Sequence, residues 1–355
     1  MKLFRKQYGQ PGAQPGLIDA SVDGAVNITL FNYNEHQVVE QSGITVEQCM
    51  EYVNKDNITW VHVQGNPDKA LLSHLATNFG IHELYIEDVA NRAERPKIET
   101  HDGQIFSIFS LPVQSESNIY LQQVSLFLMK GTVVSFCSGQ FNPFSGVKTR
   151  LNLASGKMRT HKADYLFYSL IDSVVDWCFP VLETYAQLID STEELLLKNH
   201  DKEILQKIHQ LRRDVVLLRR QIWPQRELLN QLIRDDTQSL ISAKTKVFLR
   251  DCYDHSISLL ELIETYHEMT NGLMELYMSL VSLKLNEVMR VLTIIATLFI
   301  PPTFVVGIYG MNFNPSAGPL SMPELLSPYG YLVVWLIILS MVCGMLLFFK
   351  KRKWL

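Results

Sequence analysis

Two uncharged runs near the end of the chain constrain it more than anything before them. The stretch 291–309, VLTIIATLFIPPTFVVGIY, is nineteen residues without a charge, and 329–349, YGYLVVWLIILSMVCGMLLFF, adds twenty-one. At about 1.5 Å per helical residue, each is long enough to cross a hydrocarbon core of about 30 Å. Buried helices of soluble proteins seldom stay uncharged that long, so two in succession read as a transmembrane hairpin. The connecting loop, 310–328, has no Lys or Arg and one acid, Glu324, whereas Lys350, Lys351, Arg352 and Lys353 follow the second run directly. Basic residues stay on the cytoplasmic side. The basic tail, 350–355, and with two spans the N-terminus as well, are therefore expected inside a cell membrane. Nearly all the mass then lies in the cytosol.

Of the 355 residues, 290 precede the first run, ample for one or two soluble domains with a proper core. No apolar stretch at the N-terminus resembles a signal peptide, so this front part is expected not to be exported. The five cysteines, at 49, 137, 178, 252 and 343, are scattered and never form a CxxC pair. That fits a reducing compartment and argues against a disulfide framework or a zinc-thiolate site. The net charge of −4 hides a division: residues 1–290 carry 28 basic and 35 acidic side chains, a net of −7. Such a balance disfavours nucleic acid and is compatible with attracting cations, though ordinary acidic solubility explains it equally well.

Along the chain, 1–20 holds Gly9, Pro11, Gly12, Pro15 and Gly16 and is expected to trail loosely. Strand patterns follow at 25–31 and 59–63, with a helix over 67–79 closed by Gly80. Asp102-Gly103 is flanked by 97–99 and 104–111, and Lys130-Gly131 by 120–129 and 132–137, and both read as hairpin turns. Strands with interspersed helices indicate an α/β cytosolic domain, a mixed sheet flanked by helices, over 1–162. From Ala163 the spacing of Leu and Val becomes helical. One run ends at Asn199-His200-Asp201, and a second covers 204–234 with a bend expected at Pro224. Asp235, Asp236 and Ser239 make the next turn. The helical hairpin so defined spans 163–242.

From Ala243 no Pro or Gly except Gly272 occurs until Pro301. A helix continuing over 243–309, stalk and first span together, would extend about 100 Å. Leu259, Tyr266, Leu273 and Leu280 fall seven apart, with Ile263, Thr270, Tyr277 and Lys284 between them, an imperfect heptad stripe. Packing must supply most of such a helix's stability. The preceding helices offer some partners, and copies of the same helix offer the rest.

The first span is not uniform around its circumference. Its i, i+3, i+4 row reads Asn286, Met289, Thr293, Ala296, Ile300, Thr303, Gly307 and Gly310, while other rows carry Ile294, Leu298 and Val305. The small, mildly polar row suits close helix packing in a membrane and pore lining alike. Pro301-Pro302 removes two backbone donors in mid-membrane, and the carbonyls so freed must be packed or wetted. No Asp, Glu, His, Lys or Arg lies within either span. Proton relays and substrate-coupled carriers usually need such a group; a pore for a hydrated ion does not.

Tyr309-Gly310-Met311-Asn312-Phe313 resembles the CorA family of magnesium channels, whose signature is Gly-Met-Asn at the outer end of the first of two C-terminal spans. Met322-Pro323-Glu324-Leu325, Asn286-Glu287-Val288-Met289 and the ending Lys353-Trp354-Leu355 match as well. Further back, Ala163-Asp164-Tyr165, Glu87-Asp88 and Arg95-Pro96-Lys97 look like the family's cytosolic domain. The resemblance implies a homopentameric funnel in a lipid bilayer, with five first spans lining one pore and the second span, 329–349, outside them. It implies a selectivity filter at Gly310, Met311 and Asn312, with Mg2+ as the transported ion and Co2+ as a tolerated one. Thr303 and Asn286 could repeat the polar ring deeper, and Met289 and Leu292 fit a hydrophobic constriction as well as ordinary helix packing. Intracellular Mg2+ in the family bridges acids of neighbouring protomers and favours closure; Asp88 and Asp251 match that pair, with Glu87, Asp172, Asp254 and His255 as neighbours. One departure is the loop Asn314-Pro315-Ser316-Ala317-Gly318-Pro319-Leu320-Ser321, which intervenes before Met322 without an acid.

Two other readings compete. A Zn2+, Co2+ or Ni2+ transporter of the ZntB-like branch is nearest, and the intact Gly-Met-Asn and acid-free spans weigh against it. A membrane-anchored sensor with a signalling stalk is a different class, and the polar row on the first span weighs against that. The chain holds no GxGxxG, Walker loop, HExxH or GxSxG, so an enzyme is not expected.

Overall fold

Turn chemistry and edge charges shape the N-terminal sheet. The computed structural model describes residues 26–53, 56–91, 94–115, 118–199, 201–234, 240–318 and 320–354. The expected loose segment 1–20 and the turn at Asp235, Asp236 and Ser239 lie outside them. Among the described residues the strands are β1 (Asn27–Tyr33), β2 (Val38–Ser42), β3 (Ile58–Gln64), β4 (Lys97–His101), β5 (Gln104–Ser115), β6 (Asn118–Met129) and β7 (Thr132–Cys137). They form one mixed sheet in the order β2-β1-β3-β7-β6-β5-β4. Neighbours are antiparallel except β3 and β7, which run parallel from Thr59 beside Thr132 to Gln64 beside Cys137. Asp102 and Gly103 join β4 to β5 with φ of 46° and 73°, the left-handed pair whose twist suits an antiparallel hairpin. Both edge strands are short, five residues each, and carry charge, which protects a sheet edge from further pairing.

Central strands are buried on both faces, as β7 shows with all six residues buried, because helices cover both sides. On one face lie α1 (Val46–Met50), α2 (Lys69–Phe79) and α3 (Glu83–Ala90), where Leu72, Leu75, Ile86 and Val89 pack with Leu30, Val61, Phe106 and Phe127. Helix α2 starts two residues later than Pro67 because the Asp68 carboxylate accepts from Leu71 N at 2.8 Å, making Asp68 the N-cap. The other face carries α4 (Ser145–Asn152), α5 (Ala163–Asp176), α6 (Cys178–Lys198) and α7 (Lys202–Arg234). There Gln225 Nε2 donates to Ser110 O at 2.9 Å and Ser110 Oγ to Gln221 Oε1 at 3.0 Å. The helical run beginning at Ala163 is thus two helices, which meet at Trp177, whose indole donates to Pro143 O at 3.0 Å. Helix α7 runs through Pro224 without ending.

Helix α8 (Ala243–Tyr309) is a single helix of 67 residues, and α9 (Gly330–Lys351) follows it. Asp164 on α5 starts α8. Its buried carboxylate accepts from Ser242 N and from Thr245 Oγ1, both at 2.8 Å, serving donors that a helix start leaves open. The chain divides into two compact units, Met1–Leu273 and Met274–Leu355. Within the first, Leu259, Ile263, Tyr266, Thr270 and Leu273 of the expected stripe are buried. Helices α5 to α7 cover α8 there: Phe248 lies edge-on to Tyr165 at 5.2 Å between centroids, and Glu264 pairs with Arg219 at 3.2 Å.

Among the described residues, three stretches are helical, long and apolar enough to span a bilayer: 163–198, α8 and α9. Burial separates them. The apolar window of the first is 67% buried inside the chain, against 0% and 6% for the other two. The first is therefore core, and the two others present their side chains outward.

Candidate functional site

In the C-terminal unit, one stripe on each apolar helix loses exposure. On α8 it is Ile294, Leu298, Pro301, Val305 and Tyr309; on α9 it is Val334, Ile338, Val342, Met345 and Phe349. Both run at intervals of three and four, as the seam of a helical hairpin does. At 3.6 residues per turn, the row of Asn286, Met289, Thr293, Ala296, Ile300, Thr303 and Gly307 lies about 150° from the α8 seam. All of that row except Ala296 is exposed, as is Leu292 beside it. The small residues of the row therefore do not serve packing against α9.

Hydrogen bonds polarise this row. Thr293 Oγ1 donates to Met289 O and Thr303 Oγ1 to Phe299 O, each at 2.7 Å. With the hydroxyl proton committed to the helix, the remaining lone pairs make each threonine an acceptor only. Pro301 and Pro302 stand inside α8, so the carbonyls of Thr297 and Leu298 receive no helical amide. The helix ends as Gly310 N donates to Val306 O at 2.8 Å and Met311 N to Ile308 O at 3.1 Å. Beyond that end Asn312 is exposed. A side chain at position 310 would put Cβ 3.1 Å from Val306 O, a tight approach that glycine avoids.

In the N-terminal unit, the structure brings Asp172 of α5 together with His255 of α8, and adds Asp176, one turn beyond Asp172. Their ligand atoms lie within 4.8 Å of one another, and His255 Nδ1 is 3.2 Å from Asp176 Oδ1. Burial, then the Asp176 charge, pushes the Asp172 carboxyl up to about 6, against the opposing pull of a Tyr168 hydrogen bond, His255 and Arg150. Repelling carboxylates beside an imidazole are a donor set that a divalent cation would relieve. Mg2+ favours the two oxygens, whereas Co2+, Ni2+ and Zn2+ also accept the nitrogen.

Asp88, half-buried on α3, is placed differently. Lys97 Nζ stands 2.6 Å from its Oδ2 and 2.7 Å from Glu99 Oε1. Burial still pushes the Asp88 carboxyl upward, and the other charges acting on it are Glu94 and Glu99. Asp251 is not among them: it lies exposed on α8 with Asp254, while Glu87 is half-buried on α3. Asp176, Lys97, Glu99 and Gln123, which holds the end of α3, do not stand out from sequence reading. Asp176 had a signal, since Asp172/Asp176 and Asp251/His255 are both i, i+4 pairs that share a helix face. Lys97 stood only in the Arg95-Pro96-Lys97 match, with no role attached, and Glu99 and Gln123 had no signal, because strand β4 and helix α3 meet only in the fold.

Comparison with known proteins converges on one family. The family described as CorA-like Mg2+ transporter protein matches residues 55–353. The chain is 39% identical over 330 residues to the cobalt/magnesium transport protein CorA of Thermotoga maritima, covering 92% of each. It is 31% identical over 330 residues to the putative metal ion transporter YfjQ of Bacillus subtilis, covering 93% of this chain and 98% of that one. The complete structure of the CorA magnesium transporter from Methanocaldococcus jannaschii superposes with a TM-score of 0.76 at 19% identity, over 94% of this chain and all of that one.

Proposed function

This chain belongs to the CorA-like Mg2+ transporter family, and from that premise we propose that it is a homopentameric channel conducting Mg2+, with Co2+ also accepted, into the cytosol. The observation that carries this reading is the exposed row from Asn286 to Gly307, which faces away from α9. Five copies of that face around an axis form a continuous lining of small and acceptor groups. The naming of the Thermotoga maritima relative for cobalt and magnesium supports the ion pair.

Mg2+ gives up its water reluctantly and demands near-octahedral oxygen geometry. A ring of Asn312 amide oxygens with Gly310 carbonyls would hold the hydrated ion by its shell, so no strong anionic ligand traps it. Rings of Thr303 and Thr293 oxygens, their protons already donated inward, accept from the shell's outward hydrogens and offer nothing to an anion. Met289 and Leu292 close the cytosolic end by dewetting. A divalent ion gains about 4.6 kcal/mol per 100 mV, inside negative, so inward flow needs no pump. Regulatory Mg2+ would be held by Asp88 and Asp251 of neighbouring copies, with Asp172, Asp176 and His255 as a second position. Its charge offsets the repulsion between acids that otherwise loosens the closed form.

Ion flux into liposomes tests the filter. Asn312→Ala should lose most Mg2+ and Co2+ flux, at least about tenfold, and wild-type flux would overturn the filter. Asp88→Ala with Asp251→Ala should make conductance insensitive to cytosolic Mg2+ in patches, and unchanged inhibition would remove that pair from the mechanism.

A further inference from the structure

We propose that Lys97 is a tethered cation which holds the Asp88 carboxylate until a divalent ion displaces it, so that regulatory Mg2+ binds in exchange for the Lys97 ammonium. This rests on the regulatory reading of Asp88 given above.

The triad is built for exchange. One ammonium serves two carboxylates, Asp88 at 2.6 Å and Glu99 at 2.7 Å. A purely bracing ion pair that lost one partner would strand a partly buried charge, at considerable cost. Here the Lys97 ammonium keeps Glu99 when Asp88 is taken, so no charge is stranded. Lys97 also has the chemistry for it: a flexible four-carbon stem with three rotatable donors, its ammonium 5.7 Å from the centroid of the Phe106 ring.

The two backbones, by contrast, are fixed. Lys97 opens β4 in register with Ile108 of β5. Asp88 sits on α3, whose end is held as Gln123 Nε2 donates to Asp88 O at 2.8 Å and Gln123 Oε1 accepts from Glu94 N at 3.2 Å. Competition is therefore decided by side chains alone. Glu94 and Glu99 add negative potential at Asp88, and among the described residues Lys97 is a positive charge acting against them. A monovalent ion would exchange one unit charge for another that is already hydrogen-bonded, and would gain nothing. A divalent ion adds a charge. Lys97 thus raises the Mg2+ concentration needed for closure and screens out cytosolic alkali ions.

The full-length protein in patches and in detergent separates the possibilities. Lys97→Met should lower the half-inhibitory Mg2+ concentration roughly fivefold, the scale of one partly exposed ion pair. Glu99→Gln should raise it about twofold or more, because the ammonium then rests on Asp88 alone. The Mg2+ concentration giving half the rise in unfolding temperature should move in the same two directions. A folded Lys97→Met with an unchanged or higher half-inhibitory concentration overturns the exchange; if that variant does not fold, an unchanged or lower value for Glu99→Gln does so. Asp88→Ala separates the layers. Wild-type inhibition there sinks the regulatory reading itself, whereas lost inhibition beside an unshifted Lys97→Met sinks the exchange alone.

Discussion

At the scale of single residues, two buried polar groups set tests of stability. His62 is buried on β3 with Nδ1 2.9 Å from Ser135 Oγ and Nε2 3.1 Å from Gln64 Oε1. Burial, helped by the charge of Lys148, pushes its imidazole down to about 3. In the unfolded chain the same group titrates near 6.5. Below that pH the unfolded state takes up a proton that the folded state refuses, so this contribution is complete above about pH 6.5 and is lost as pH falls toward 3. The loss is about 2 kcal/mol by pH 5. Thermal unfolding of the full chain at pH 7, 6 and 5 should show a decline that is shallower in His62→Gln; an equal decline in both would assign the acid sensitivity elsewhere. Asp164 is the second case. Asp164→Ala leaves Ser242 N and Thr245 Oγ1 without their acceptor and should cost about 2–4 kcal/mol, read as a lower unfolding midpoint, with Asp164→Asn intermediate.

At the scale of elements, what could be read in advance was what local chemistry decides. Asp102-Gly103 announces its hairpin because few residue pairs adopt two left-handed conformations in succession, and the uncharged runs announce two helices by length alone. Strand β2, helix α1 and helix α3 escape that kind of reading. β2 is an edge strand with no buried residue, so it lacks the alternation that marks a half-buried strand, although the Thr45–Gln48 capping box before α1 was there to see. The parallel contact of β3 with β7 joins segments some seventy residues apart, and no local pattern encodes such a partner. The same limit governs the acids. Asp172 and His255 could be named as neighbours only through family resemblance, because their meeting depends on how α8 packs on α5. Close approach also marks the loop between the spans: a Cβ at Gly330 would stand 2.5 Å from Glu324 O. Gly330→Ala must therefore shift the backbone at the start of α9. A reduced yield of folded protein and a lower unfolding midpoint are expected, while wild-type behaviour would show that the Met322–Leu326 turn yields freely.

At the scale of the whole molecule, the question is what covers α8 just before its uncharged run. Leu283, Leu285, Val288 and Met289 are 62%, 62%, 59% and 52% exposed in one chain, and Lys284, Glu287 and Arg290 stand among them, also exposed. Lipid cannot cover this segment, since three charges in a helix turn or two keep it out of hydrocarbon. Water alone would leave a long apolar surface that soluble monomers rarely tolerate. On the pentameric reading proposed above, other copies of the same segment supply the cover, and closed rotational symmetry lets every copy bury the same face. That arrangement would bring the exposed row above it onto the axis, with Asn312 at its proposed outer end. Cysteine placement checks the arrangement directly, because Cys343 is the exposed native thiol and the other four are buried. In a Cys343→Ser background, Asn312→Cys treated with a flexible bismaleimide in membranes should give a ladder of linked chains that ends at five. A ladder ending at two would place these faces in a dimer seam with no water-filled axis. No linking at all would put the Asn312 side chains out of reach of one another and remove the ring on which selection of the hydrated ion depends.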